Sequence, residues 1–394
     1  MKWLVVLLLS ATFLAAQTRR VAGPTEGVVP TAELRMTALA DAPGFPASER
    51  YRTRATALVE WQGAMYGVAA GQPTYLFSVE PGGSVKLISE IPVAGVGRGI
   101  LTTDGAGTLC TGTSPSITGD GIVQSYVHPE AVDPFRNAPA GHILCTEGRA
   151  QTWKDLGTVA DHEGIYALIS DPQAKALYGV TFPSGIFFRV DLGSGKMESH
   201  GRLFERTLIG TDEHFRPVPR ALAVGGDGRV WTSGDKGFLY VFDPRTRKLE
   251  ATKVRLPGVP GRQSFNVVDA LLSCPEGKLY GGTSDGYLFR FDPATGRVTN
   301  FGKPVEDSRI RAMVFGEGET LYGVAGSSKG ICRLFSFSPH GGELNIFGIV
   351  ERHDPPNYDW MIYQIDALAL DSQGRIYVAE SESPSHIAVL KLKP

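Results

Sequence analysis

The fold can be predicted from one stretch of the chain, Asp269-Ala-Leu-Leu-Ser-Cys-Pro-Glu-Gly-Lys-Leu-Tyr-Gly-Gly-Thr-Ser-Asp-Gly-Tyr-Leu-Phe-Arg-Phe-Asp-Pro-Ala-Thr-Gly-Arg-Val-Thr299. Its apolar residues form short runs that are separated by Pro-Glu-Gly, Ser-Asp-Gly and Asp-Pro-Ala-Thr-Gly. Glycine supplies the positive φ of tight turns, and proline favours the first turn position. The stretch therefore predicts a meander of four short strands. Such a sheet cannot bury both of its faces alone, so it needs similar units beside it.

The chain supplies these neighbours as repeats of the Leu-Tyr-Gly step. An aliphatic residue followed in most copies by an aromatic and a small residue occurs at Met65–Gly67, Leu109–Thr111, Leu177–Gly179, Val230–Thr232, Leu279–Gly281, Leu321–Gly323 and Ile376–Val378. Successive copies are 42 to 68 residues apart. Variable spacing of a fixed unit is typical of propeller blades, whose insertions lie in loops. No sustained 3.6-residue period supports a helical solenoid. The sequence predicts an all-β, seven-bladed β-propeller.

The way in which the ring closes can also be predicted. The last repeat has three strands, Asp366–Leu370, Arg375–Glu380 and His386–Leu392. The missing fourth strand is available at Val28–Ala40, which precedes the first full repeat. We expect this N-terminal strand to complete the last blade, because closure removes an exposed sheet edge.

The N-terminus has the pattern of an export signal. Lys2 is followed by the apolar run Trp3–Leu9 and by small residues that end in Leu14–Ala16. This pattern predicts a signal peptide at residues 1–16, a single propeller domain at 17–394, and an exported protein, periplasmic or secreted. A membrane anchor is the alternative, but the apolar run is short for a bilayer.

Composition narrows the possible partners. The 39 basic and 41 acidic residues nearly balance, which gives no support to nucleic-acid binding. The 48 glycines and 26 prolines fit a turn-rich all-β protein. We expect a monomer that does not contact the membrane after signal cleavage.

Four cysteines in an exported protein raise the question of a disulfide. When the second repeat is aligned with the opening stretch, Cys110 replaces Tyr280 and Cys145 replaces Arg290. The two cysteines then face each other on paired strands, within disulfide range. The alternative is two separate buried thiols. Cys274 and Cys332 are expected to stay outside the bridge.

The long insertions all fall on one predicted face of the propeller, where loops between second and third strands and loops between blades open together. They are Ser114–Ala140, Phe204–Pro219, Pro257–Phe265 and Val350–Ile362. Six of the eight histidines lie in or beside loops of this face: His128, His142, His162, His214, His353 and His386. Loops on a rigid scaffold often carry function, although surface loops also collect histidine without a role.

A ring of polar side chains is expected at the channel mouth on the same face. Alignment of the inner strands places one residue per blade at a single position: Thr56, Gly99, Tyr166, Arg220, Asp269, Arg311 and Asp366. Nearby are Arg54, Arg98 and Arg309. These charges could form only ion pairs within the channel, since buried charges must be paired. Alternatively, the arginines could bind a ligand carboxylate.

The repeats Tyr178–Gly185 and Leu288–Pro293 resemble those of exported bacterial seven-bladed propellers. That group includes polysaccharide lyases acting on uronic acids (oligogalacturonate, ulvan and rhamnose-glucuronate lyases), with virginiamycin B lyase and gluconolactonase as more distant architectural relatives. The resemblance implies a lyase that eliminates at a uronic acid residue of an oligo- or polysaccharide. In such a reaction arginine neutralises the carboxylate and a histidine or tyrosine removes the adjacent proton.

On this hypothesis the loop-rich face supplies both kinds of residue. The candidates for proton transfer are His162, His353, Tyr358 and Tyr363. The candidates for substrate binding are Arg98, Arg220, Arg311, Asp269, Asp366, His214 and Trp360.

Other functions remain open at this point. The gluconolactonase group holds a metal with Glu, Asn and Asp, whereas this chain offers only Asn266, Asp269 and Asp366, without a matching glutamate. A divalent metal is therefore not firmly implied, and no cofactor is assigned. The alternatives are a metal-dependent, lactonase-like hydrolase and a non-catalytic propeller that binds a glycan or a protein. A glycoside hydrolase would need a flanking pair of carboxylates, and none stands out.

Overall fold

The computed structural model describes residues 19–21, 27–46, 54–71, 73–93, 99–114, 139–148, 152–204, 218–306, 309–326, 331–354, 358–382 and 384–393. The signal peptide predicted at residues 1–16 lies outside these ranges. None of the helices within them is long and apolar enough to cross a membrane.

The described chain is almost entirely β-structure. In chain order the strands are β1 (Arg19–Val21), β2 (Thr31–Ala38), β3 (Arg54–Trp61), β4 (Ala64–Ala70), β5 (Thr74–Val79), β6 (Val85–Ile91), β7 (Ile100–Thr103), β8 (Thr108–Gly112), β9 (His142–Glu147), β10 (Lys154–Thr158), β11 (Gly164–Asp171), β12 (Ala176–Phe182), β13 (Ile186–Asp191), β14 (Met197–Arg202), β15 (Ala223–Val224), β16 (Val230–Ser233), β17 (Phe238–Asp243), β18 (Lys248–Arg255), β19 (Val268–Ser273), β20 (Leu279–Thr283), β21 (Leu288–Asp292), β22 (Arg297–Gly302), β23 (Ile310–Phe315), β24 (Leu321–Ala325), β25 (Arg333–Phe337), β26 (Glu343–Ile349), β27 (Glu351–Asp354), β28 (Tyr358–Met361), β29 (Ile365–Leu370), β30 (Ile376–Glu380) and β31 (His386–Leu392). Short 3-10 segments occur at Leu39–Asp41, Asp235–Gly237, Gln263–Phe265 and Glu317–Glu319.

These strands form a seven-bladed β-propeller, as predicted. Blades one to six begin with β3, β7, β11, β15, β19 and β23, and each continues through the next three strands. The seventh blade has the order β2-β31-β30-β29. The stretch from Asp269 to Thr299 lies in blade five, whose four strands pair antiparallel in sequence order.

The Leu-Tyr-Gly repeat has a packing explanation. In four blades the glycine of the second strand lies directly opposite a phenylalanine of the third strand: Gly67 and Phe77, Gly179 and Phe188, Gly281 and Phe289, Gly323 and Phe335. A Cβ added at any of these glycines would overlap the phenylalanine ring. The small residue therefore lets the ring lie flat across the sheet, where it is fully buried between neighbouring blades.

Closure of the ring is confirmed. Strand β2 pairs antiparallel with β31 from Thr31–Leu392 to Ala38–His386, so the N-terminal strand is the outer strand of the last blade. An additional contact was not predicted. Strand β1 pairs in parallel with β26, the outer strand of blade six, and Val29 N–H donates to the carbonyl of Ile349 at 2.8 Å. The N-terminal segment thus contacts two adjacent blades.

The predicted cysteine pair is confirmed as a disulfide. Cys110 of β8 and Cys145 of β9 are direct cross-strand partners with Cα atoms 4.1 Å apart. Cys274 and Cys332 are buried thiols. Cys332 lies between blades six and seven, where its Sγ accepts the Ile365 N–H at 3.4 Å.

Candidate functional site

The channel mouth is formed by a structural irregularity repeated from blade to blade. The pairing between the first and second strands skips one residue near the start of the inner strand in five blades. The skipped residues are Thr56, Tyr166, Asp269, Arg311 and Asp366. Such a β-bulge redirects a side chain and is common at barrel rims and active sites. The ring position predicted by sequence alignment is therefore a bulge position.

Loops from neighbouring blades contact the inner strands beside these bulges. Ala55 N–H, one residue before a bulge, donates to Ser385 Oγ at 2.9 Å, and Val268 N–H donates to Ser233 Oγ at 2.8 Å. Both serines belong to, or border, the loop between the second and third strands of the preceding blade. These bonds place those loops on the same face as the channel mouth, as the sequence predicted.

Four of the predicted substrate-binding residues line one cavity. Arg220, Asp269, Arg311 and Asp366 surround a space of about 220 Å³ at the centre of the ring. Aliphatic side chains of the inner strands line the same cavity; they include Leu58, Leu101 and Leu368. Tyr166 occupies an equivalent bulge but packs against Phe182, with ring centroids 5.3 Å apart.

Two arginines share one carboxylate oxygen in this ring. Arg220 Nη2 lies 2.8 Å from Asp366 Oδ1, and Arg311 binds the same oxygen through Nη2 and Nε, each at 2.6 Å. The side chain of Arg311 is fully buried, and that of Arg220 is 4% exposed. Burial is the largest single influence on the pKa of Arg220 and acts to lower it, but Asp366 together with Tyr166 and Asp269 outweighs burial and the repulsion of Arg311, so the net shift is upward. This group of three side chains, Arg220, Arg311 and Asp366, carries one surplus positive charge and is called the arginine triad below.

A second ion pair lies beside the arginine triad. Arg309 Nε is 3.1 Å from Asp269 Oδ2, and the Asp269 side chain is fully buried. Arg309 and Asp269 are therefore close enough to form an ion pair. They are not aligned for a hydrogen bond, and neither carboxylate oxygen of Asp269 has a hydrogen-bond partner. Arg309 has 19% of its side chain exposed and is thus the most accessible of these arginines.

A carboxylate–imidazole pair, which the sequence analysis did not select, lies in blade seven. Glu380 ends β30 and His386 begins β31, and His386 Nδ1 is 2.5 Å from Glu380 Oε2. Glu380 also accepts the main-chain N–H groups of Tyr363 at 3.0 Å and His386 at 3.2 Å. The other ring nitrogen, Nε2, is buried and has no hydrogen-bond partner. Leaving a buried polar atom unsatisfied costs about 1–3 kcal/mol, so this atom requires an explanation.

The insertion between blades six and seven covers this pair. Strands β27 and β28 form a hairpin that, among the described strands, pairs with no blade. The ring of Trp360 in β28 packs edge-on against the His386 ring, with centroids 4.8 Å apart. Tyr363, which follows the hairpin, has half of its surface exposed. Trp360 and Tyr363 were both predicted as site residues, and the structure places them beside Glu380 and His386.

Two more of the predicted residues are described, and both are exposed on the loop-rich face. His353 lies exposed in β27, opposite Asp359. His162 is exposed in the turn before β11, with a positive φ of 61°. Arg98, His214 and the side chain of Tyr358 lie outside the described residues, and so do most of the insertions at Ser114–Ala140 and Phe204–Pro219.

Within the described ranges, no group of three or more His, Cys, Asp or Glu residues is placed to hold a metal ion.

Comparisons with known proteins show likeness of fold. No family model matches the chain, and no curated protein sequence matches it. Virginiamycin B lyase from Staphylococcus aureus superposes with a TM-score of 0.61 at 12% identity, over 92% of this chain and 99% of the lyase. The extracellular domain of a proposed hybrid two-component system from B. thetaiotaomicron gives a TM-score of 0.58 at 15% identity, over 92% of this chain and 40% of that one.

A WD40 propeller, that of Doa1, gives a TM-score of 0.55 at 11% identity, over 87% of this chain and 94% of that domain. These three structures include an enzyme, an extracellular domain and a WD40 domain, so the shared fold is compatible with catalysis and with binding alone. The chain has the seven-bladed propeller architecture, and its structural neighbours include virginiamycin B lyase and bacterial extracellular propeller domains.

Proposed function

We propose that this protein is an exported lyase that eliminates at a uronic acid residue of an oligo- or polysaccharide, on the loop-rich face of the propeller. The observation that carries this proposal is the arginine triad at the channel mouth. Its surplus positive charge is held on buried side chains, where an electrostatic field is screened less than in water. Removal of a proton beside a carboxylate builds negative charge on that carboxylate, and fixed positive charge stabilises it.

The burial of the triad defines how it would act. Arg311 exposes none of its side chain and its guanidinium already binds Asp366, so it contributes through its field rather than by direct contact. Arg309 is partly exposed at the same rim and is the residue that would contact the substrate carboxylate. Bidentate geometry makes arginine suited to this contact. His162 and His353 remain the proton-transfer candidates predicted from the sequence.

A panel of uronate polysaccharides, monitored by the ultraviolet absorbance of the unsaturated product, tests this function. Arg309→Gln should raise KM for every polymer that is cleaved, because the contact to the carboxylate is lost. Arg297→Gln is the matched control, since it removes the same charge from the outer strand β22 of the neighbouring blade and should leave KM unchanged. A wild-type protein that releases no unsaturated product from any polymer rules out the lyase.

A non-catalytic binding propeller is the second candidate. Arg220 and Arg311 both form ion pairs with Asp366, which belongs to a different blade from either arginine. The binding propeller is favoured because these charges would then serve mainly to connect the blades rather than to act on a substrate. Calorimetric titration with the same polymers separates the two functions. Binding of an intact polymer without product formation would support the binding propeller.

A further inference from the structure

The donor and the acceptor in the Glu380–His386 hydrogen bond can be assigned. An ionised carboxylate only accepts hydrogen bonds, so the hydrogen in the 2.5 Å contact belongs to His386 Nδ1. In a neutral imidazole the lone pair is then on Nε2. Two main-chain N–H groups hold the Glu380 carboxylate in place, and the imidazole is fixed in turn. A histidine oriented in this way by a carboxylate is suited to general-base catalysis.

The Glu380–His386 pair also lies close to the arginine triad. Ile365, next to Asp366, is the cross-strand partner of Glu380, and β31 follows as the next strand of the sheet. Two strand spacings therefore separate His386 from the strand that carries Asp366, roughly 10 Å between backbones. Side chains on both strands would act on groups within one or two sugar rings.

A comparison within the chain distinguishes His386 from an ordinary paired histidine. His142 begins β9, the third strand of blade two, as His386 begins β31, and its Nδ1 lies 2.8 Å from Asp155 Oδ2. His142 and Asp155 are both partly open to solvent, with 29% and 45% of their side chains exposed. His386 and Glu380 are 9% and 4% exposed. Among the described residues, the blade-seven pair is the more buried of the two, and it lies beneath an inserted hairpin.

From these observations we infer that His386 Nε2 is the base of the elimination, that Glu380 is its positioning residue, and that Trp360 covers the base until substrate displaces the hairpin. This inference rests on the proposed lyase function. The hairpin pairs with no described blade strand, so Trp360 can move without breaking a blade.

The reaction balances without any further reactant. Nε2 takes the proton from the carbon beside the uronate carboxylate, and the C–H electron pair becomes the carbon–carbon double bond. The glycosidic C–O bond at the next carbon breaks, and its electrons stay on the leaving oxygen. The imidazolium then returns its proton to that oxygen, which regenerates neutral His386.

The first test does not need a substrate. Nitrogen-15 histidine spectra at alkaline pH report which ring nitrogen carries the proton, and His386→Gln identifies the resonance among the eight histidines. We expect the Nδ1–H form in the wild type and a larger Nε2–H population in Glu380→Gln. Trp360→Ala should speed the modification of His386 by diethyl pyrocarbonate, measured by peptide mass spectrometry. An Nε2–H form in the wild type, or modification no faster without Trp360, overturns the inference.

The second test uses whichever polymer the wild type cleaves. His386→Gln should lower kcat about a hundredfold or more, as expected for loss of a positioned base, whereas His142→Gln should retain the wild-type rate. Full turnover by His386→Gln overturns the role of His386 and leaves the lyase function in place, with His162 and His353 as the candidates. Absence of product from the wild type overturns the lyase function itself and this assignment with it.

Discussion

Replacement of Asp366 by alanine should destabilise the protein strongly. Asp366 is the shared acceptor for Arg220 and Arg311, which approach Oδ1 at 2.8 and 2.6 Å and are 4% and 0% exposed. Removing one partner from a buried ion pair leaves an uncompensated charge and costs about 3–5 kcal/mol. Unfolding entropy for a chain of 394 residues is about 0.8 kcal/mol/K. The melting temperature should therefore fall by about 4–6 °C.

The melting temperature can be followed by circular dichroism with two controls. Glu276→Gln removes a carboxylate whose partner, Lys278, is on the surface, and should leave the melting temperature unchanged. Addition of Arg311→Met to Asp366→Ala should recover part of the loss, because one of the two uncompensated charges is removed with it. If Asp366→Ala melts within about 1 °C of the wild type, the triad is solvated. Water would then screen the charge of the triad, which would no longer favour a lyase.

Three further results are expected. Deletion of Thr31–Ala38 should lower the melting temperature of the whole ring, and unchanged melting would contradict closure by β2. Thiol counting on the denatured, non-reduced protein should find two free thiols, and four would refute the bridge. Cys110→Ser should lower the free energy of unfolding by about 4 kcal/mol and the melting temperature by about 5 °C, from the chain entropy of a 35-residue separation. The pKa of Asp191 is lowered to about 2, first by the Ser194 N–H and then by its hydroxyl and Arg189. Its contribution to stability is present above the ordinary pKa of 3.8 and is lost as pH falls towards 2. Asp191→Asn should flatten the melting profile in that interval, and an unaltered profile would contradict the shift.

The blades could be predicted because their signals are local. A turn such as Ser284-Asp285-Gly286 can be recognised from residues that are neighbours in sequence. The ring at Asp269, Arg311 and Asp366 could also be predicted, since each inner strand begins at the same offset from its repeat. The bulge at these positions could not, because a register skip depends on the partner strand as well.

The pair formed by Glu380 and His386 was missed although its signal was present. The predicted strands Arg375–Glu380 and His386–Leu392 already placed the two residues at facing strand ends. Their polar character at buried positions could have indicated a contact, but the approach of the side chains depends on the loop at residues 381–385. The hairpin of β27 and β28 was missed although its strands are neighbours in sequence, because Val350–Ile362 was interpreted as a loop. The parallel strand β1 was missed because its partner, β26, is distant in sequence.

Joining the two ends of the chain in one blade affects how the protein folds after synthesis. Strand β2 is made early, whereas its partner β31 is the last of the described strands. Until β31 emerges, β2 has no antiparallel partner, and the growing sheet stack presents open edges that can pair with other chains. The entropic cost of closing so large a loop grows only slowly with its length. Closure by β31 therefore delays folding more than it reduces the stability of the folded protein. A nascent chain of this topology has a long period of vulnerability to aggregation that ends only when the final strand is added.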